Sequence, residues 1–130
     1  MKERIKTLTS RSNGWGYARR KVALRQYITG WVNYFKLADM KSLLIRVDEW
    51  YRRRLRMIIW KQWKRVRTRG RNLTKLGIAR YKAWEFANTR MGYWHTARSP
   101  ILTRSVTSNR LRQAGYIVFL EYYRSVSGFN

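Results

Sequence analysis

The chain of 130 residues has no cysteine, one proline, one histidine and six acidic residues. Each scarcity closes a route. Without cysteine, no disulfide can staple a small domain. One histidine and six scattered acids supply no ligand cluster with zinc or two-metal spacing, so neither a metal nor a cofactor is expected. No apolar run reaches the roughly 18 uncharged residues of a membrane-spanning helix. The opening MKERIKTLTS lacks the apolar segment of a secretory signal, so a cytoplasmic protein is expected. A Gly-Lys-Ser/Thr phosphate loop and a GxSxG elbow are missing too. His95, in GYWHTAR, has no nucleophile or carboxylate placed beside it. The chain by itself is not expected to be an enzyme.

What is present is positive charge and aromatic surface. Thirty Lys and Arg against six acids leave a formal charge of +24, while 45% hydrophobic residues with seven Trp and nine Tyr exclude a disordered chain. Residues 51–71 hold ten cations and no acid: Arg52, Arg53, Arg54, Arg56, Lys61, Lys64, Arg65, Arg67, Arg69 and Arg71. Crowding so much like charge costs stability unless anions compensate. Asp48 and Glu49 stand four residues before Arg52 and Arg53, the favourable helical order, yet each such pair contributes only a few tenths of a kcal/mol. A polyanionic partner is therefore expected.

Apolar spacing reads helical almost throughout. Residues 2–8 form a marginal first segment and 9–17 a Gly-containing loop. Leu24, Tyr27, Ile28, Trp31, Tyr34 and Phe35 then mark one stripe of a helix over 19–37. Asp39 is a candidate N-cap for a second long helix, whose stripe is Met40, Leu43, Leu44, Val47, Tyr51, Leu55 and Ile58, running to about residue 63. In 64–71 (KRVRTRGR) the cations at 65, 67, 69 and 71 alternate, which suits an extended, exposed connector. Short helices are expected over 72–76 (ended by Gly77), 79–91, 99–106 (opened by Ser99-Pro100) and 109–114 (ended by Gly115). The run 116–123 suits a strand or a helix, and with no partner strand the helix is preferred. The expected fold is all-α: two long helices followed by several short ones, divided into a bundle over 1–63, a basic connector over 64–71, and a short-helix subregion over 72–130.

Cations interleaved with aromatics point to nucleic acid. Lys and Arg neutralise phosphates without reading sequence, and exposed rings stack on the unpaired bases of looped RNA. The candidate RNA-binding residues are Arg46, Arg52, Arg53, Arg56, Lys61, Lys64, Arg65, Arg67, Arg69 and Arg71. Trp50 and Tyr51 fall in or beside the apolar stripe and are assigned to packing. For Trp60 and Trp63, packing and base stacking are both open. Arg54 lies at the core border, either reaching water along its stem or pairing with a distant acid such as Glu85. A cationic amphipathic segment that binds anionic membranes is the alternative reading of residues 60–65.

The order YITGWVNYFKLAD, DEWYRRRLRMIIWKQWKR, NLTKLGI and ANTRMGYWHTARSPIL resembles the C-terminal maturase-specific region of bacterial group II intron-encoded reverse transcriptases. The resemblance covers essentially the whole chain. It implies a helical thumb, often called domain X, that binds group II intron RNA, assists its folding and splicing, and grips template–primer in the parent enzyme. It further implies a bacterial cytoplasmic setting and a partner, the fingers and palm that carry the polymerase aspartates. Neither the aromatic-Ala-Asp-Asp turn nor a His-Asn-His endonuclease occurs in this sequence. Met1 falls where the thumb begins, so a truncated or split reading frame, or a fragment, is expected, with some of the first stripe facing the missing part.

Overall fold

A computed structural model describes residues 1–10, 16–35 and 40–127. Among the described residues there are nine helices and no strand: α1 (Lys2–Leu8), α2 (Tyr17–Phe35), α3 (Lys41–Gln62), α4 (Val66–Lys75), α5 (Arg80–Ala87), α6 (Tyr93–Thr96), α7 (Pro100–Ser105), α8 (Ser108–Gln113) and α9 (Phe119–Ser127). The protein is all-α, with two long helices among shorter ones. It forms two compact units, one of Met1–Arg52 with Leu111–Asn130, the other of Arg53–Arg110. The sequence of α3 is thereby shared between them. Asp39, the candidate cap, and most of the expected loop (11–15) lie outside the described residues.

In the first unit, the stripe of α2 buries Leu24, Ile28 and Val32, and that of α3 buries Leu44, Val47 and Tyr51. Helix α2 packs on α1 and α9. Phe119, the first residue of α9, is fully buried and meets Trp31 and Tyr51 edge-on, each at 5.8 Å between ring centroids. Such edge contacts contribute about 0.5–1.5 kcal/mol beyond area burial. Three stripe members behave otherwise: Tyr34 is 82% exposed, Leu43 46% and Phe35 38%. The terminal run is helical as preferred, beginning at Phe119 rather than at residue 116.

Asp48 fixes where α9 starts. Its carboxylate is buried and accepts from the backbone N–H of Phe119 (2.8 Å, Oδ1) and of Leu120 (2.9 Å, Oδ2). A carboxylate there satisfies first-turn donors and meets the positive end of the helix dipole. Burial pushes the Asp48 carboxyl above its ordinary value, while the two N–H bonds and nearby Arg52 pull it back in part. The acid expected to steady Arg52 is engaged chiefly as a cap in trans.

In the second unit, α4 packs closely on α5. Gly70 makes that approach possible, because a Cβ there would stand 2.8 Å from Cδ2 of Trp84. The expected extended connector is corrected: residues 66–75 are helical. Gly70 and Leu73 are buried on the inner face, so alternating cations 65, 67, 69 and 71 fan around a helix instead of sharing one side. The expected end at Gly77 holds. Gly77 has φ +98°, its N–H donates to the Thr74 carbonyl, and the Ile78 N–H donates to that of Leu73, the bonding of a Schellman cap. Gly115 (φ +100°) ends α8 with the same pattern onto Arg112 and Leu111. Ser99 caps α7, accepting from the Leu102 N–H at 3.3 Å, with Pro100 at the first helical position.

Candidate nucleic-acid interface

With so few acids, cations that are not at the surface need other partners. Among the described residues, five arginines reach backbone carbonyls outside their own helix, most of these at helix C-terminal ends. Arg20 and Arg56 are buried, Arg53 and Arg69 half-exposed and Arg110 exposed. Arg20 donates to the carbonyls of Leu8 and Ser10, both at 3.3 Å, where α1 ends. Arg69 donates through Nε and Nη2 to the Trp60 carbonyl, at 3.3 and 3.1 Å, in the last turn of α3. Arg56, 8% exposed, donates from Nε to the carbonyl of Val106, the C-cap of α7, at 2.7 Å. Arg110 reaches the carbonyls of Leu76 (2.8 Å) and Ser105 (2.7 Å), at the ends of α4 and α7. Arg53 grips the Trp94 carbonyl twice, at 3.0 and 2.8 Å, and lies 3.7 Å over that indole. Helix C-termini carry about half a negative charge in unsatisfied carbonyls, so a guanidinium there is stabilised without any carboxylate. Burial and nearby Arg98 lower the Arg53 pKa, a cost that the carbonyl and the indole offset.

This separates the candidate RNA-binding residues. Arg53, Arg56 and Arg69 direct their guanidinium groups to the chain's own carbonyls, with Arg56 buried and Arg53 and Arg69 half-exposed. Of the two roles open to Trp60, the structure places it in packing. It is 1% exposed, with Phe86 at 5.2 Å, Trp63 at 6.2 Å and the Arg69 guanidinium 4.5 Å over its ring, so no face is left for a base. Trp63 is half-exposed and keeps open surface. Arg54 lies 5.8 Å over Trp94 and contacts the Met57 sulfur.

Arg46, Lys64, Arg65, Arg67 and Arg71 are exposed, and Arg52 and Lys61 half-exposed. Arg46 and Arg52 belong to the first unit, the others to the second. Two cations absent from the sequence-based candidates join the second group. A groove of about 460 Å³ is lined by Arg67, Arg71, Thr74, Lys75, Arg80 and Trp84. Lys75 could have been found from its spacing, eight after Arg67 and four after Arg71. Arg80 could not, because its place depends on how α5 packs. Among the described residues, no three His, Asp or Glu lie where they could hold a metal ion.

Of the two apolar anchors in residues 60–65, Trp60 is buried in packing and Trp63 is half-exposed. No described helix is long and apolar enough to cross a membrane.

Residues 1–77 match the family described as group II intron, maturase-specific domain. That is more than half of the chain. The chain belongs to this family. No curated protein matches it. Its function is accordingly maturase-related, and a maturase-specific region is not by itself catalytic. In this maturase-specific domain the matched part takes in α1 to α4, with the exposed cations Arg46 through Lys75. Arg80 and Trp84 of the groove lie beyond it.

Proposed function

We propose that this maturase-specific domain binds group II intron RNA and stabilises its splicing-competent fold. The observation that carries the reading is the cluster of exposed cations Lys64, Arg65, Arg67 and Arg71, left over once other arginines are taken up by helix ends, in a chain matched to the maturase-specific family. Each phosphate met by such a cation releases a condensed counterion, which supplies affinity that falls steeply with salt. Binding only to the compact intron fold stabilises that fold by mass action. Within the same unit Lys61 joins this set and half-exposed Trp63 offers a stacking surface, while Arg46 and Arg52 are separate phosphate-binding candidates of the first unit. In a bacterial cytoplasm the same surface would grip template–primer within a parent reverse transcriptase, whose fingers and palm would cover exposed apolar residues such as Tyr34.

The test is competition. Labelled intron RNA bound to the full chain is challenged with equal concentrations of duplex DNA across a salt series, and splicing of the RNA is followed in parallel. RNA retained against the DNA, with splicing accelerated, supports the proposal. Complete displacement by duplex DNA refutes intron specificity. Primer extension by the chain alone is expected to be blank.

A further inference from the structure

Helix α4 presents Arg67, Arg71 and Lys75 at intervals of four residues, on one face and about 6 Å apart along the axis. Like charges at this spacing repel and weaken a helix by a few tenths of a kcal/mol per pair. The described residues that line the groove beside them include no acid, and Arg80 adds a fourth cation at the first turn of α5. That turn has Ala79 as its N-cap and takes no side-chain cap, so its N–H groups add to the positive field. The one ring in the lining is Trp84. It is held in place from behind, with its Cδ2, Cε2 and Cε3 atoms 2.8–3.1 Å from where a Cβ on Gly70 would stand.

Together these features discriminate between nucleic-acid forms. A row of cations about 6 Å apart suits successive phosphates of a single strand. A fixed indole beside the row offers a stacking face, which is of use only to a base that is not already stacked in a duplex. A groove of about 460 Å³ holds a nucleotide unit and not a helix of paired strands. We infer that the α4–α5 groove binds an unpaired segment of RNA, with its phosphates on Arg67, Arg71, Lys75 and Arg80 and one base against Trp84. This deepens the proposed RNA-binding function and rests on it. It also assigns a role to Arg80 and Trp84, which lie outside the matched maturase-specific part.

The experiment measures binding of the full chain to four probes by fluorescence anisotropy over a salt series. They are a short oligoadenylate RNA, the same length of abasic strand, a fully paired RNA hairpin, and intron RNA. The wild type should prefer oligoadenylate to the abasic strand by about tenfold to a hundredfold, and Trp84→Leu should remove that preference. The variant R71Q/K75Q, changed only at exposed positions, should weaken oligoadenylate binding more than hairpin binding. It should also flatten the oligoadenylate salt slope by about 1.4, or about 0.7 for each single-strand phosphate that is no longer neutralised. Equal losses on oligoadenylate and hairpin would reduce the groove to part of a general field and overturn the inference. Should Trp84→Leu not fold, Trp84→Met fills the space over Gly70 without an aromatic face, and an undiminished base preference there overturns it equally. A wild type that binds intron RNA but ignores oligoadenylate refutes the groove alone. One that binds neither refutes the proposed function too.

Discussion

Removing the Asp48 carboxylate should release the start of α9. In Asp48→Ala the buried N–H of Phe119 loses its acceptor, at a cost of about 1–3 kcal/mol, and the half-buried Leu120 N–H loses a weaker share. Relief from burying a carboxylate returns part of this, leaving a net loss of about 1–3 kcal/mol in urea unfolding followed by far-ultraviolet circular dichroism. Asp48→Asn keeps one acceptor oxygen and should lose roughly half as much. The pH dependence gives the sharper check. Burial raises the folded carboxyl above its ordinary 3.8, so the folded chain holds the Asp48 proton at pH values where the unfolded chain has released it. Stability linked to that proton is fully present below pH 3.8 and is lost as pH rises through the folded value. The wild type should therefore gain on Asp48→Asn as the solution is acidified from neutrality towards pH 3.8, with a constant difference below. A difference that moves the other way would show that the N–H bonds outweigh desolvation. An Asp48→Ala variant within about 0.5 kcal/mol of wild type would refute the cap altogether.

Gly70→Ala places a Cβ 2.8 Å from the Trp84 ring, and the overpacking, about 1–3 kcal/mol, exceeds the roughly 1 kcal/mol of helix propensity gained; a lowered melting temperature is expected. Arg69→Ala frees the Trp60 carbonyl and uncovers its indole, so it should cost about 1–2 kcal/mol in thermal melts and leave the salt slope of RNA binding unchanged. Arg65→Gln should do the reverse, with stability within about 0.5 kcal/mol of wild type and a salt slope flattened by about 0.7–0.9.

The long stripes were legible in the sequence because burial on one face leaves a three-and-four spacing, as at Leu24 and Ile28 and again at Leu44, Val47 and Tyr51, although buried Val32 is absent from the stripe expected on the first. The caps at Ser99, Gly77 and Gly115 were legible because local backbone chemistry alone sets them. Helix α4 was misread for a physical reason. Its cations happen to alternate, imitating an extended chain, while its inner face is carried by Gly70 and Leu73 and so offers little apolar signal. Gly70 reads as a breaker in sequence, yet it is needed for the approach of Trp84. The single turn α6 went unforeseen, being too short for any periodicity. The division of the cations was not legible at all. Arg65 and Arg69 belong to one basic run, and only the position of the Trp60 carbonyl makes one exposed and the other structural.

That division alters what a charge of +24 requires of the molecule. Read as sequence, the surplus demanded an anion to permit folding. In the structure, helix ends take part of that role, since a C-terminus presents carbonyls whose lone pairs and dipole favour a cation. All five residues so used are arginines: Arg20, Arg53, Arg56, Arg69 and Arg110. Two of them place both Nε and Nη2 on a single carbonyl, which a lysine ammonium cannot imitate from the same position. The exposed set mixes the two types, with Lys64 and Lys75 beside Arg65, Arg67 and Arg71, as suits contacts where a phosphate asks mainly for charge. An arginine-to-lysine exchange is thus conservative at the surface and damaging at a helix end. The fold settles the charge of these five arginines on its own main chain, and the proposed contact with RNA then falls to exposed cations such as Lys64, Arg65, Arg67 and Arg71.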